Sequence, residues 1–149
     1  MSGWLLCVAV ATSWAPHKPI DQSVKVCQRV ADEAELAGLD PHYVIALAYT
    51  ESRFNPEARS SAGARGPIQI LPKFHCPQGR AAGCDFVRAG VAHLVRLFDK
   101  YDGQWDLVLC HWNGGNVCGK GARRFARIVA KRARKLARIA WGKVQAPRG

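Results

Sequence analysis

The stretch from Asp40 to Pro56 limits the possible folds more than any other part of this chain. Asp40-Pro41 reads as an N-cap followed by proline at the first helical position, and Phe54-Asn55-Pro56 stops the helix it opens. Between these signals, Tyr43 to Ser52 is apolar almost all round. A helix with no polar face must be enclosed on every side, which predicts a globule of other helices around it. The 149 residues, 48% hydrophobic and 22% charged, suffice for one such domain and exclude a disordered chain.

The flanking segments carry the same helical period. Asp21 is placed to cap a helix with Val24, Cys27, Val30/Ala31 and Ala34 inward, ending at Gly38. Residues 55–84 are rich in Gly, Pro, Ser and Ala, and read as a long loop with one short helix around Gly66–Leu71 and room for a small hairpin. Asp85 opens the next helix, with Val87, Val91, Leu94, Val95 and Phe98 inward, and Tyr101-Asp102-Gly103 closes it. A shorter helix runs from Trp105 to about Asn113, where Gly114-Gly115 forces a turn. The last helix, from Gly121 to Trp141, spans roughly 30 Å at ~1.5 Å per residue. The division expected is an apolar segment at 1–20, a domain at 21–118 and a basic helix at 119–149.

Glu51 is the unusual residue of the central helix. Leu47 and Ala48 lie one turn back and Val44 two turns back, so its carboxyl shares their apolar face. Such a site disfavours the charged form and raises the pKa. Lifting a glutamate from about 4.3 to between 6 and 7 takes roughly 3 kcal/mol, which partial burial supplies. A carboxyl tuned this way suits a general acid for glycosidic cleavage. Alternatively, it points into water or pairs with Arg53.

Charge and cysteines bound the setting. The net charge is +11, yet Met1 to Cys118 holds 11 Lys/Arg against 11 Asp/Glu, so the whole excess lies in Gly119–Gly149. In the last helix Phe125, Val129, Ala133, Leu136 and Ala140 form an apolar stripe, broadened by Ile128 and Ile139. Arg123, Arg124, Arg127, Lys131, Arg134, Lys135 and Arg138 cover much of the rest. These charges are either a solvated face or a contact for a polyanion: DNA, anionic lipid or wall phosphate. Six cysteines without a CxxC pair favour disulfides over a zinc site, with free buried thiols as the alternative. Loops Cys76–Cys84 and Cys110–Cys118 and a longer link from Cys27 are candidate pairings. The apolar run Trp4–Ala11 reads either as a signal-peptide core, with Ala9-Val10-Ala11 as cleavage site, or as a buried strand or helix. It is too short to span a bilayer. Histidines 17, 42, 75, 93 and 111 show no ligand spacing, so neither metal nor cofactor is expected.

Three ordered blocks carry a resemblance. Glu51-Ser52-Arg53-Phe54-Asn55-Pro56 is followed by Ser60-Ser61-Ala62-Gly63-Ala64-Arg65-Gly66-Pro67-Ile68-Gln69-Ile70, then by Trp112-Asn113-Gly114-Gly115. With Gly90 and Leu94 between them, this resembles the soluble lytic transglycosylase family of the lysozyme-like superfamily, over about Cys27 to Val117. The resemblance implies a mainly α fold of the α+β lysozyme-like kind, a compact helical domain around a central helix with a substrate groove. It implies catalytic Glu51, with Ser60, Ile68, Gln69, Trp112 and Asn113 along the substrate. The chain departs from the family at Pro67-Ile68, where Leu-Met is usual, at Trp112 for Tyr, and at Phe86 for Asn. The family's usual ending after the third block is not visible, so the basic helix reads as a local feature.

The activity so implied is cleavage of the MurNAc-β-1,4-GlcNAc bond of peptidoglycan glycan strands with a 1,6-anhydro product. One carboxylate suffices for it, because the substrate's N-acetyl group and 6-hydroxyl replace the partner acid and water of an ordinary glycosidase. The place of action would be the periplasm or cell wall, reached by export or in a phage particle. A hydrolytic muramidase of goose-lysozyme type is the nearest alternative. A non-catalytic DNA- or membrane-binding protein on a lysozyme-like body is the alternative of another class.

Overall fold

A computed structural model describes residues 3–145, with side chains described to Ile139. The helices are α1 (Gly3–Trp14), α2 (Ile20–Leu36), α3 (Pro41–Ser52), α4 (Pro72–His75), α5 (Phe86–Lys100), α6 (Trp105–Gly114) and α7 (Lys120–Gln145). A single 3-10 turn follows α4 at Pro77–Gly79. The fold is mainly α. The only β features among the described residues are two isolated bridges, Arg59 to Arg65 and Arg65 to Ile70, which pinch the 55–71 loop into a small hairpin-like turn.

The enclosed helix is α3. Asp40 caps it by accepting from the His42 backbone N–H at 2.9 Å, with Pro41 in the first turn. Val44 to Ala48 are fully buried. Helices α2 and α7 pack on α3, α1 and α5 pack on α2, and α6 lies between α5 and α7. The helix stops because Arg53 and Phe54 both take left-handed backbone angles (φ 53° and 61°), which sends the chain back over its own end. Phe54 is fully buried, and its packing offsets the backbone cost of that conformation.

Helix boundaries follow capping where a side chain makes the cap. Asp85 accepts from Arg88 N–H and starts α5 as expected. At α2 the expectation fails by a few residues: the helix begins at Ile20 after Pro19, and Asp21 lies in the first turn without capping. Ser23, Val26, Cys27, Val30, Ala31 and Ala34 form its buried face, and Val24 is only half-buried. The short helix of the long loop is Pro72–His75, after Gly66–Leu71, because Pro72 supplies a first-turn proline. Residues Gly66 to Gln69 form a turn instead, with Gln69 at φ 57°.

At α7 the inward stripe is Ala122, Ala126, Val129, Ala130, Ala133 and Leu136. Phe125 and Ile139 are half-buried and Ile128 is exposed, while Ala140 lies outside the described side chains. Small residues sit where α7 meets α3 and α6 closely. Three disulfides tie the elements together: Cys7–Cys27 joins α1 to α2, Cys76–Cys84 closes the loop after α4, and Cys110–Cys118 joins α6 to the start of α7. The apolar N-terminal run is thus a packed helix here, with Leu6, Cys7, Val10 and Ala11 buried. No helix among the described residues is long and apolar enough to cross a membrane.

Candidate active site

Glu51 occupies the last turn of α3, where the enclosed helix reaches the surface. Its carboxyl is partly buried, and burial pushes its pKa up to about 7. Trp112, on the last turn of α6, donates its indole N–H to Glu51 Oε1 at 3.2 Å. That bond favours the carboxylate and pulls the pKa back toward the ordinary value, but desolvation outweighs it. No acidic neighbour contributes to the shift. Glu57 is exposed past the turn, where Asn55 Oδ1 accepts from its backbone N–H. The pairing with Arg53 considered for Glu51 is absent; the Arg53 guanidinium lies instead 4.3 Å from the Tyr49 ring centre.

The wall beside Glu51 is aromatic. The rings of Trp112 and His93 are 5.5 Å apart, and those of His93 and His75 are 4.3 Å apart. Burial lowers the pKa of His93 to about 4, with His75 and Arg96 adding repulsion, so the ring beside Trp112 is neutral near neutral pH. His93 Nδ1 is buried without a hydrogen-bond partner.

The glycine-rich turn supports the other side. Ser52 donates to the Pro67 carbonyl at 2.7 Å, which ties the end of α3 to that turn. Gln69 donates through Nε2 to the carbonyls of Ala58 (3.0 Å) and Gly66 (2.9 Å), so its amide clasps the loop. Ser60 is exposed, and its hydroxyl accepts from Ala64 N–H. Asn113 is exposed beside Trp112. Ile68 departs from expectation. It is 0% exposed and packs over Gly90 of α5, leaving no surface for a sugar. A side chain at Gly90 would collide with both Ile68 and Ile70, so α5 seats the turn by bare backbone contact.

Two features escaped the sequence reading. Arg132 of α7 donates to Thr50 Oγ1 at 3.0 Å and lies 4.9 Å from the Tyr49 ring centre, bracing α3 one residue before Glu51. Its only signal is spacing, three residues after Val129 and four before Leu136 on the inward stripe. The His75–His93 pair leaves no sequence signal, since the two positions meet only through the packing of α4 on α5. A hollow of about 740 Å³ between α2 and α5, lined in part by Pro19, Val26, Pro56, Pro67 and Phe86, contains neither Glu51 nor Trp112.

The Trp112 bond has a measurable consequence. Trp112→Phe keeps a ring but removes the donor that favours the ionised carboxyl, so Glu51 should titrate at a higher pH still. Carboxyl-carbon NMR of parent and variant reads this directly. An unchanged or lowered titration would show that the 3.2 Å contact does not govern the acid.

The sequence pattern of the family described as "Transglycosylase SLT domain" matches residues 29–134. A Haemophilus influenzae protein, described provisionally as a soluble lytic murein transglycosylase, is 30% identical over 107 residues, 64% of this chain and 17% of its own length. An inactive mutant of the lytic transglycosylase Slt from Pseudomonas aeruginosa superposes with a TM-score of 0.63 at 20% identity, over 80% of this chain and 24% of that one. The last of these shows likeness of fold. The chain spans a quarter or less of the length of either relative. The family match runs to residue 134, within α7. Since that match covers well over half of its residues, the chain belongs to the transglycosylase SLT domain family.

Proposed function

We propose that the protein is a peptidoglycan lytic transglycosylase in which Glu51 is the one acid/base. The observation that carries this reading is a partly buried carboxyl with a pKa of about 7, one N–H donor and no acidic neighbour acting on it. A group with that value is protonated often enough to act as an acid near neutrality and is then basic enough to take a proton back. Glu51 protonates the oxygen linking MurNAc C1 to GlcNAc C4, and the C1–O bond breaks as GlcNAc leaves with a free 4-hydroxyl. The substrate's N-acetyl oxygen stabilises the cation at C1. The muramic 6-hydroxyl then attacks C1 and gives its proton to Glu51, so the enzyme is restored and no water is consumed. Trp112 holds the carboxyl in place, Gln69 keeps the glycine-rich turn in shape, and Ser60 and Asn113 offer exposed polar groups to the glycan.

Mass spectrometry of digested cell wall tests the reaction. The expected ends are 1,6-anhydro-muramic acid. Reducing muramic ends would make the protein a hydrolytic muramidase of goose-lysozyme type. The name of the Haemophilus influenzae relative refers to murein, which supports action in the periplasm or cell wall, reached by export or in a phage particle.

A second reading concerns α7. Arg123, Arg124, Arg127, Lys131, Arg134, Lys135 and Arg138 are all exposed, and the helix contains no acidic residue. Such a face fits a phosphate-bearing polyanion. Replacing Arg124, Arg127, Lys131 and Arg134 with Gln should weaken retention on duplex DNA and on anionic vesicles and flatten its salt dependence. Retention equal to the parent's on both would remove this role.

A further inference from the structure

The aromatic wall does not end at His93. Beyond it, His75 lies at 4.3 Å and Phe74 at a further 6.4 Å, the last ring turned 72° to its neighbour. Trp112, His93, His75 and Phe74 therefore form an unbroken series of ring contacts whose first member holds the Glu51 carboxyl. The three inner rings are half-buried, but Phe74 is 69% exposed. A single exposed phenylalanine is ordinary on a protein surface. Two observations set this one apart. It terminates a row anchored on Glu51, and its backbone is held rigid. Helix α4 packs on α5, His75 Nδ1 lies 3.0 Å from the Leu71 carbonyl, and the buried Cys76 closes a disulfide loop to Cys84 just after it.

We propose that Phe74 is the far platform of an extended glycan-binding row, taking the face of a sugar at least one ring removed from the bond that Glu51 cleaves. The proposal rests on the transglycosylase reading and adds to it a preference for long glycan strands. Sugars present C–H faces that stack on aromatic rings, while their rims carry the hydroxyls. A ring carried on a short helix packed on α5 and followed by a disulfide-closed loop contributes more affinity, because little backbone freedom is lost when the sugar arrives. Two rings stand between Phe74 and Trp112, so short fragments bound at Glu51 fall short of Phe74 and longer strands reach it.

The test uses the full chain carrying Glu51→Gln, which binds without cleaving, and alternating GlcNAc–MurNAc oligosaccharides of defined length. Titration calorimetry compares a tetrasaccharide with an octasaccharide, with and without Phe74→Ala. The expected result is tighter binding of the octasaccharide, with that advantage reduced roughly three- to tenfold in the Phe74→Ala protein and retained in Phe74→Trp. Equal loss for both lengths, or no loss for either, overturns the platform while leaving the proposed activity standing. If the Glu51→Gln protein binds neither oligosaccharide, and the parent releases no fragments from cell wall, the activity reading fails and the platform falls with it. Phe74 is largely exposed, so thermal melting of Phe74→Ala should match the parent, and a lowered melting point would trace the loss to folding instead.

Discussion

Glu51→Gln should abolish cell-wall cleavage and at the same time make the protein harder to unfold in alkaline buffer. The first effect follows from one group serving both proton transfers, so the amide removes acid and base together. A loss of about 10³- to 10⁴-fold or more in the rate of wall-fragment release is expected. Clearing of a wall-embedded gel that survives the substitution would take Glu51 out of its role. The second effect follows from the carboxyl's surroundings. Burial raises the folded-state pKa from 4.5 to about 7, so between those values the folded protein holds a proton that the unfolded chain has released. Stability from this group is therefore fully present below about 4.5 and is lost as pH rises through about 7. Above that range the folded state carries a cost of at most about 3 kcal/mol, trimmed by the solvent that still reaches the side chain. The glutamine variant carries no such cost. Its melting temperature should exceed the parent's by several degrees at pH 9 and match it near pH 4. Equal melting curves at both values would show that the carboxyl is not desolvated in the folded state.

The second large effect is on stability. Cys7–Cys27 closes a segment of 20 residues and fastens α1 to α2. By loop entropy, Cys7→Ser/Cys27→Ser should cost about 3 kcal/mol, which for a chain of this size lowers the melting temperature by roughly 6–12 °C. The site should feel this too. Tyr49 donates its hydroxyl to the Trp14 carbonyl at 2.9 Å, and the two rings sit 4.9 Å apart, so α1 packs on the same end of α3 that carries Glu51. A loosened α1 frees Tyr49 and the Arg53 and Arg132 guanidiniums resting on its ring. Melting that is indifferent to the double substitution would mean that α1 lies outside the cooperative unit.

Much of the architecture could be read residue by residue. Asp40-Pro41 and Asp85 start helices because capping is a bond between near neighbours, and both caps form where expected. The three cysteine pairings include both short loops and the long link from Cys27, since short loops close readily and leave one pair over. Glu51 was legible because three apolar residues share its helix face. The start of α2 was not: Pro19 ends the preceding turn and lets the helix begin ahead of Asp21. The inward face of α7 was shifted because tight packing on α3 and α6 selects the small residues Ala122, Ala126, Ala130 and Ala133 over the larger Phe125 and Ile128.

By itself the sequence determined the helical class, the enclosed helix, the catalytic candidate on it and the cationic last helix. Each of these depends on spacing within a single element, where geometry repeats every few residues. Tertiary structure decided which groups meet Glu51. The indole of Trp112 arrives from α6, 61 positions away along the chain. Arg132 comes from α7, His93 and His75 meet across two helices, and Ile68 turns inward onto Gly90 instead of out toward a sugar. Contacts between elements depend on how whole faces pack, and no local period encodes that. Only the assembled helices set how much water reaches the carboxyl, and so the pH at which it gives up its proton.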